Sequence, residues 1–113
     1  MGLGFADGFK PSTPITCLHT PDASIVGTHK VDEIQTTRKE LTEIFGKPLM
    51  MDDYKVTTEW ILTFNLSDGT EVIATIYDYK EANTPGLNDV ITWSIGGYTA
   101  EAGNLVHQFI DNI

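Results

Sequence analysis

Residues 56–79, VTTEWILTFNLSDGTEVIATIYDY, decide the fold. Val56, Thr58, Trp60, Leu62, Phe64 and Leu66 alternate with Thr57, Glu59, Ile61, Thr63 and Asn65. A period of two is the signature of a strand, and one apolar side facing one largely polar side suits an antiparallel sheet with a wet face. Ser67-Asp68-Gly69-Thr70 then supplies a hairpin turn, because Asp-Gly tolerates the positive φ such turns require. The chain returns as a second strand over 71–79, with Val72, Ala74 and Ile76 on one side and Ile73, Thr75, Tyr77 and Tyr79 on the other.

Working outward, KEANTPGLND (80–89) reads as a loop, with Pro85-Gly86 at its tip, and VITWSI (90–95) as a third strand. Ala102, Leu105, Val106, Phe109 and Ile110 then recur at helical spacing, predicting a helix over about 100–110 with Thr99 as its N-cap. Upstream, Thr37-Arg38-Lys39-Glu40 has the form of a capping box and opens a helix over 38–45, which Gly46 and Pro48 end. Residues 24–34 favour a strand, although Ile34, Leu41, Ile44 and Phe45 also fit one longer helix from Asp32. Residues 1–20, rich in proline, are assigned to an irregular N-terminal arm in which 15–20 is a candidate short strand; residues 21–113 form a single domain. The expected architecture is an α+β two-layer sandwich. An antiparallel sheet of about four strands would carry both helices on one face.

The 113 residues suffice for one domain, and 41% hydrophobic content supports a packed core. Seven basic residues against sixteen acidic ones give a net charge of −9. That balance opposes nucleic-acid binding, which draws on Lys and Arg at phosphates. No apolar run approaches the roughly 20 residues of a bilayer span, so no membrane partner is expected. The first residues show no basic segment followed by an apolar one, so no export signal is read there. Cys17, the one cysteine, permits no disulfide within the chain and fits a reducing compartment.

Four constellations were weighed for chemistry. Gly96 and Gly97 between a strand and a helix, with Trp93 and Thr99 beside them, are the residues expected to hold a small anionic ligand or nucleotide. No Lys or Arg stands next to them, and a plain turn is the stronger expectation. Cys17, His19 and His29 lack metal-ligand spacing, so no metal and no cofactor are expected. Asp52, Asp53 and Asp78 are the acids available for carboxylate chemistry, but no nucleophile motif accompanies them and no enzyme activity is expected. The sheet face away from the helices carries Ile61, Ile73, Tyr77 and Tyr79, an apolar and aromatic load that a covering segment or a partner must bury. With Asp78 and Lys80, these residues form the expected partner-binding set.

The segments TTRKELTEIFGKP (36–48), VTTEWILTFNLSDGTEVIATIYDYKE (56–81) and WSIGG (93–97) resemble, in that order, a family of small proteins of tailed bacteriophages. The likeness spans roughly residues 24–110 and implies a phage origin and a host cytoplasm; it carries no catalytic residues. It implies an accessory protein that binds a host protein as an inhibitor or anti-defence adaptor. Sequestration of a small anionic ligand and a structural place in the virion are the alternatives, and self-association is a further expectation.

Overall fold

The computed structural model describes residues 14–51, 55–79 and 84–111. In chain order the elements are β1 (Pro14–His19), β2 (His29–Thr37), α1 (Arg38–Phe45), β3 (Leu49–Met50), β4 (Thr58–Leu66), β5 (Glu71–Tyr77), β6 (Val90–Gly97) and α2 (Glu101–Asp111). They build an α+β fold with one sheet in the order β1-β4-β5-β6-β2, and β3 pairs with β4. Every pairing is antiparallel. The central meander is the one the 56–95 pattern predicts. The sheet has six strands, not about four, because β1 and β3 both line the outer edge of β4. Of the segment assigned to the arm, Pro14–His19 is therefore part of the sheet. Lys80 and the neighbouring 81–83 lie outside the described residues, as do Asp52 and Asp53.

Trp60, Leu62, Phe64 and Leu66 of β4, Ala74 and Ile76 of β5, and Trp93 and Ile95 of β6 all point to one face. Leu41 and Phe45 of α1 and Ala102, Leu105 and Val106 of α2 close over them in a single core. Phe109 joins the two helices to the sheet, stacking on Phe45 at 5.6 Å between ring centroids and meeting Phe64 edge-on at 5.8 Å. Side chains of this kind each gain about 1.5–3 kcal/mol on full burial, so this face carries most of the fold's stabilisation.

Helix α1 starts where the capping box predicts: the Glu40 amide donates to Thr37 Oγ1 at 3.1 Å. The Glu40 carboxylate accepts from the Thr36 hydroxyl, not from the Thr37 backbone amide that the ideal box would use. Gly46 ends the helix at φ 93°, donating to Thr42 O. The tryptophans fasten both ends of α1: Trp93 Nε1 donates to Thr36 O at 3.1 Å and Trp60 Nε1 to Gly46 O at 2.7 Å. Their rings also meet edge to face at 5.5 Å. Trp60→Phe, which strands the Gly46 carbonyl and empties part of the indole's space, is expected to cost about 2 kcal/mol. The midpoint of urea unfolding reads this directly, and an unchanged midpoint would remove Trp60 from the anchoring of α1.

The strand expected at 24–34 lies at 29–37. Residues 20–28 have a different task. β1 and β2 sit at opposite edges of the sheet, so the chain between them must cross a whole face, and it crosses the one opposite the helices. The crossing is tied down at both ends. The Thr20 amide donates to Ile61 O and its hydroxyl meets Thr63 Oγ1 at 2.7 Å; the Tyr98 hydroxyl donates to Ser24 O at 2.9 Å.

Candidate functional site

The strap formed by residues 20–28 answers the question of the open face. Ile61, Thr63, Thr75 and Ser94 on that face are all buried. Coverage is incomplete, however. Between the strap and the start of β4 lies a cleft of about 280 Å³, open to solvent. Its floor is Glu59, Thr75, Tyr77 and Gly96 from three adjacent strands. Ile25, Thr28 and His29 wall one side and Met51 and Val56 another.

Glu59 is the unusual member of this lining. It is only 8% exposed, yet among the described residues its carboxyl has neither a hydrogen-bond nor an ion-pair partner. Burial raises its pKa above the ordinary carboxylate value, and the neighbouring Asp78 charge raises it further. Burial likewise pushes the Tyr77 phenol up, an effect that Lys30 opposes. Thr75 sits beside Gly96, where a Cβ would stand 2.6 Å from its hydroxyl, so a side chain at position 96 would intrude on the cleft floor.

The raised pKa of Glu59 sets a stability prediction. The folded chain holds this proton more tightly than the unfolded chain does, so the associated stability is complete below the unfolded glutamate pKa and is lost as pH rises through the folded value. Glu59→Gln, neutral at every pH, is expected to be more stable than wild type at pH 7 by about 1 kcal/mol, roughly 4 °C in Tm. The advantage should shrink to nothing in acid. Equal melting temperatures at pH 7 would show that Glu59 carries no burial penalty.

The expected partner-binding residues divide. Tyr77 lines the cleft and Ile73 lines a second groove, of about 320 Å³, with Tyr98, Thr99 and Glu101. Tyr79 is 47% exposed beyond the end of β5. Ile61 is buried on the face the strap crosses. Asp78 is fully buried and serves the backbone: Oδ1 accepts from the amides of Thr57 and Thr58 at 2.9 and 2.8 Å, and Oδ2 from the Thr57 hydroxyl at 2.6 Å.

No protein-family model matches this chain, and no curated protein or solved structure matches it. The site is therefore read from its geometry alone.

The residues expected to hold an anionic ligand are not brought together. Gly96 and Gly97 are the last residues of β6, not a turn. Trp93 and Gly97 belong to the helix-covered face, where a Cβ on Gly97 would stand 2.3 Å from Ala102 Cβ, whereas Gly96 faces the cleft. Thr99 is exposed, and the Ala102 and Gly103 amides at the start of α2 already donate to Thr99 O and Ala100 O. Cys17, His19 and His29 are separated too: the first two lie on the β1 edge, and His29 opens β2 at the far edge. Among the described residues no group of three His, Cys, Asp or Glu could hold a metal ion. Burial pushes the Cys17 thiol up to about 12, which leaves it protonated and unreactive at neutral pH. His107 is half-buried, and its Nε2 lies 2.9 Å from Glu33 O on β2. No helix among the described residues is long and apolar enough to cross a membrane.

Glu59 was legible in the sequence as a polar residue on the wet face of β4. Its special position was not, because the strap that buries it arrives from residues 20–28.

Proposed function

We propose that this protein acts by non-covalent binding of a host protein, as a small acidic accessory protein of the phage type, and that the strap side of the sheet is the surface it uses. The observation that carries this reading is the concentration of exposed apolar side chains around a cleft with an acidic floor. Val26 at the crest of the strap is 86% exposed, and Met51, itself a cleft wall, is 36% exposed. Val26 adjoins the lining residue Ile25 in the chain. Exposed apolar groups grouped around a recess are the pattern of recognition surfaces, and methionine adapts readily to a partner's shape. The net charge of −9 adds long-range attraction for a basic surface.

The test is affinity capture from host lysate with the wild-type chain and with a Val26→Asp variant. The substitution falls at an exposed position, so the variant is expected to keep the wild-type melting temperature. A host protein retained by wild type and lost from the folded variant supports the reading. No stoichiometric partner, or equal retention by both, overturns it.

A further inference from the structure

We propose that the cleft beneath the strap is a binding site for a guanidinium or primary ammonium group on an alkyl stem, with the Glu59 carboxylate as its counter-ion. Under the function proposed above, on which the choice of occupant rests, that group is an arginine or lysine side chain of the partner protein.

Four observations converge. First, Glu59 lines the cleft and is only 8% exposed, and its carboxyl, which meets solvent through the cleft, has no protein partner among the described residues. A carboxylate recessed among apolar walls without a protein donor or counter-charge is partly desolvated, and a cation donating to it offsets that cost. Second, the other polar groups of the lining, the Thr28 and Thr75 hydroxyls and the Tyr77 phenol, are able to accept further N–H bonds. The Tyr77 ring offers an aromatic surface to a cation as well. Third, Ile25, Met51 and Val56 give the walls an apolar character that suits the methylene stem of a basic side chain. Fourth, about 280 Å³ lies close to the lower limit of small-molecule sites and is enough for one side chain.

The competing occupants fail on charge. An anion would meet Glu59, with the fully buried Asp78 close enough to raise its pKa. A purely apolar group would fill the walls and leave the carboxylate desolvated and unpaired. A metal ion would find a single carboxylate, since no group of three ligating residues exists among the described residues. Gly96 completes the case from the side of space. A Cβ there would stand 2.6 Å from Thr75 Oγ1 and 3.4 Å from Tyr77 Cε1, intruding on the floor where the cation's donors must reach.

The probes are butylguanidinium and its neutral isostere butylurea, titrated into the full chain and followed by the backbone amide resonances of Glu59, Thr75 and Gly96. Butylguanidinium is expected to shift these resonances saturably, and butylurea to bind roughly tenfold more weakly or worse. Glu59→Gln should remove the preference for the charged probe. Equal binding of the two probes, no saturable shift with butylguanidinium, or an unchanged preference in Glu59→Gln would each overturn the assignment. The comparison of probes in the wild-type chain needs no variant, so a folding defect cannot mask it. Displacement of a captured host protein by butylguanidinium identifies the occupant as a partner's side chain. Saturable binding of the probe in a chain that captures no host protein sustains the cation site as one for a free amine, while the partner reading falls. Capture of a host protein without probe binding sinks the cation site and leaves the partner reading standing.

Discussion

Gly97→Ala is expected to lower stability by about 3 kcal/mol, roughly 12 °C in Tm, although it adds a single methyl group. Gly97 does not need a positive φ: among the described residues only Gly27, Gly46 and Gly69 have one. It needs space. The added Cβ would sit 2.3 Å from Ala102 Cβ, and that atom belongs to the first turn of α2, so relief requires the helix to move away from the sheet. The next contacts, Thr99 O at 3.4 Å and Ile73 O at 3.5 Å, are ordinary van der Waals distances. The clash is thus between two methyl groups, and a double-mutant cycle isolates it. Ala102→Gly alone should cost about 1 kcal/mol as a glycine in a helix. Gly97→Ala combined with Ala102→Gly should cost little more than Ala102→Gly alone, a coupling of about 2–3 kcal/mol. Additive costs in the cycle would place the damage somewhere other than this contact. The ligand-binding alternative read from the sequence predicts a different result for a bulky residue at this position, loss of ligand binding with the fold intact, because it places Gly97 in a turn.

Asp78→Ala is the second large effect, expected at about 3–5 kcal/mol. The substitution leaves the Thr57 and Thr58 amides and the Thr57 hydroxyl without their acceptor, at a residue with no solvent exposure. These bonds fix the chain as it enters β4, at the position next to Glu59, so the loss also loosens one wall of the cleft. Asp78→Asn should cost clearly less. Its amide oxygen can still accept from both backbone amides and its NH₂ can donate to the Thr57 hydroxyl. Chemical denaturation of the three chains tests the ordering; equal losses for alanine and asparagine would mean that charge, not hydrogen bonding, is what Asp78 supplies. Its charge has a separate effect on Glu59, whose pKa should fall in Asp78→Asn.

These two residues mark where sequence reasoning about function ran short. Asp78 sits between two tyrosines and looks like part of a recognition surface. Its carboxylate turns inward because β5 ends at Tyr77 and the chain beyond it runs back along the start of β4, where two amides lack partners. Gly96 and Gly97 look like a phosphate-binding turn. They are instead strand residues made small by what packs on them, Thr75 and Tyr77 on one face and Ala102 on the other. For Asp78 and Gly96 the determining neighbours lie in other strands, and for Gly97 it is Ala102, which only the packing of α2 on the sheet brings over it. Glu59 is the opposite case: one charged residue on the wet face of a strand attracts no notice until a strap from residues 20–28 buries it.

Periodicity and local chemistry, by themselves, determined the elements. The alternation over 56–66 and the Asp68-Gly69 turn specify the central hairpin, and Thr37, Glu40 and Gly46 specify both ends of α1, because strand faces, turns and caps depend on residues only a few positions apart. What only the tertiary structure decided is the order of the strands. That β1 and β2 lie at opposite edges depends on pairings between segments some fifty or more residues apart, Cys17 with Phe64 and Ile34 with Trp93. No local pattern encodes such a pairing. Yet it is this separation of β1 from β2 that forces the strap across the open face, and with it creates the cleft and buries Glu59.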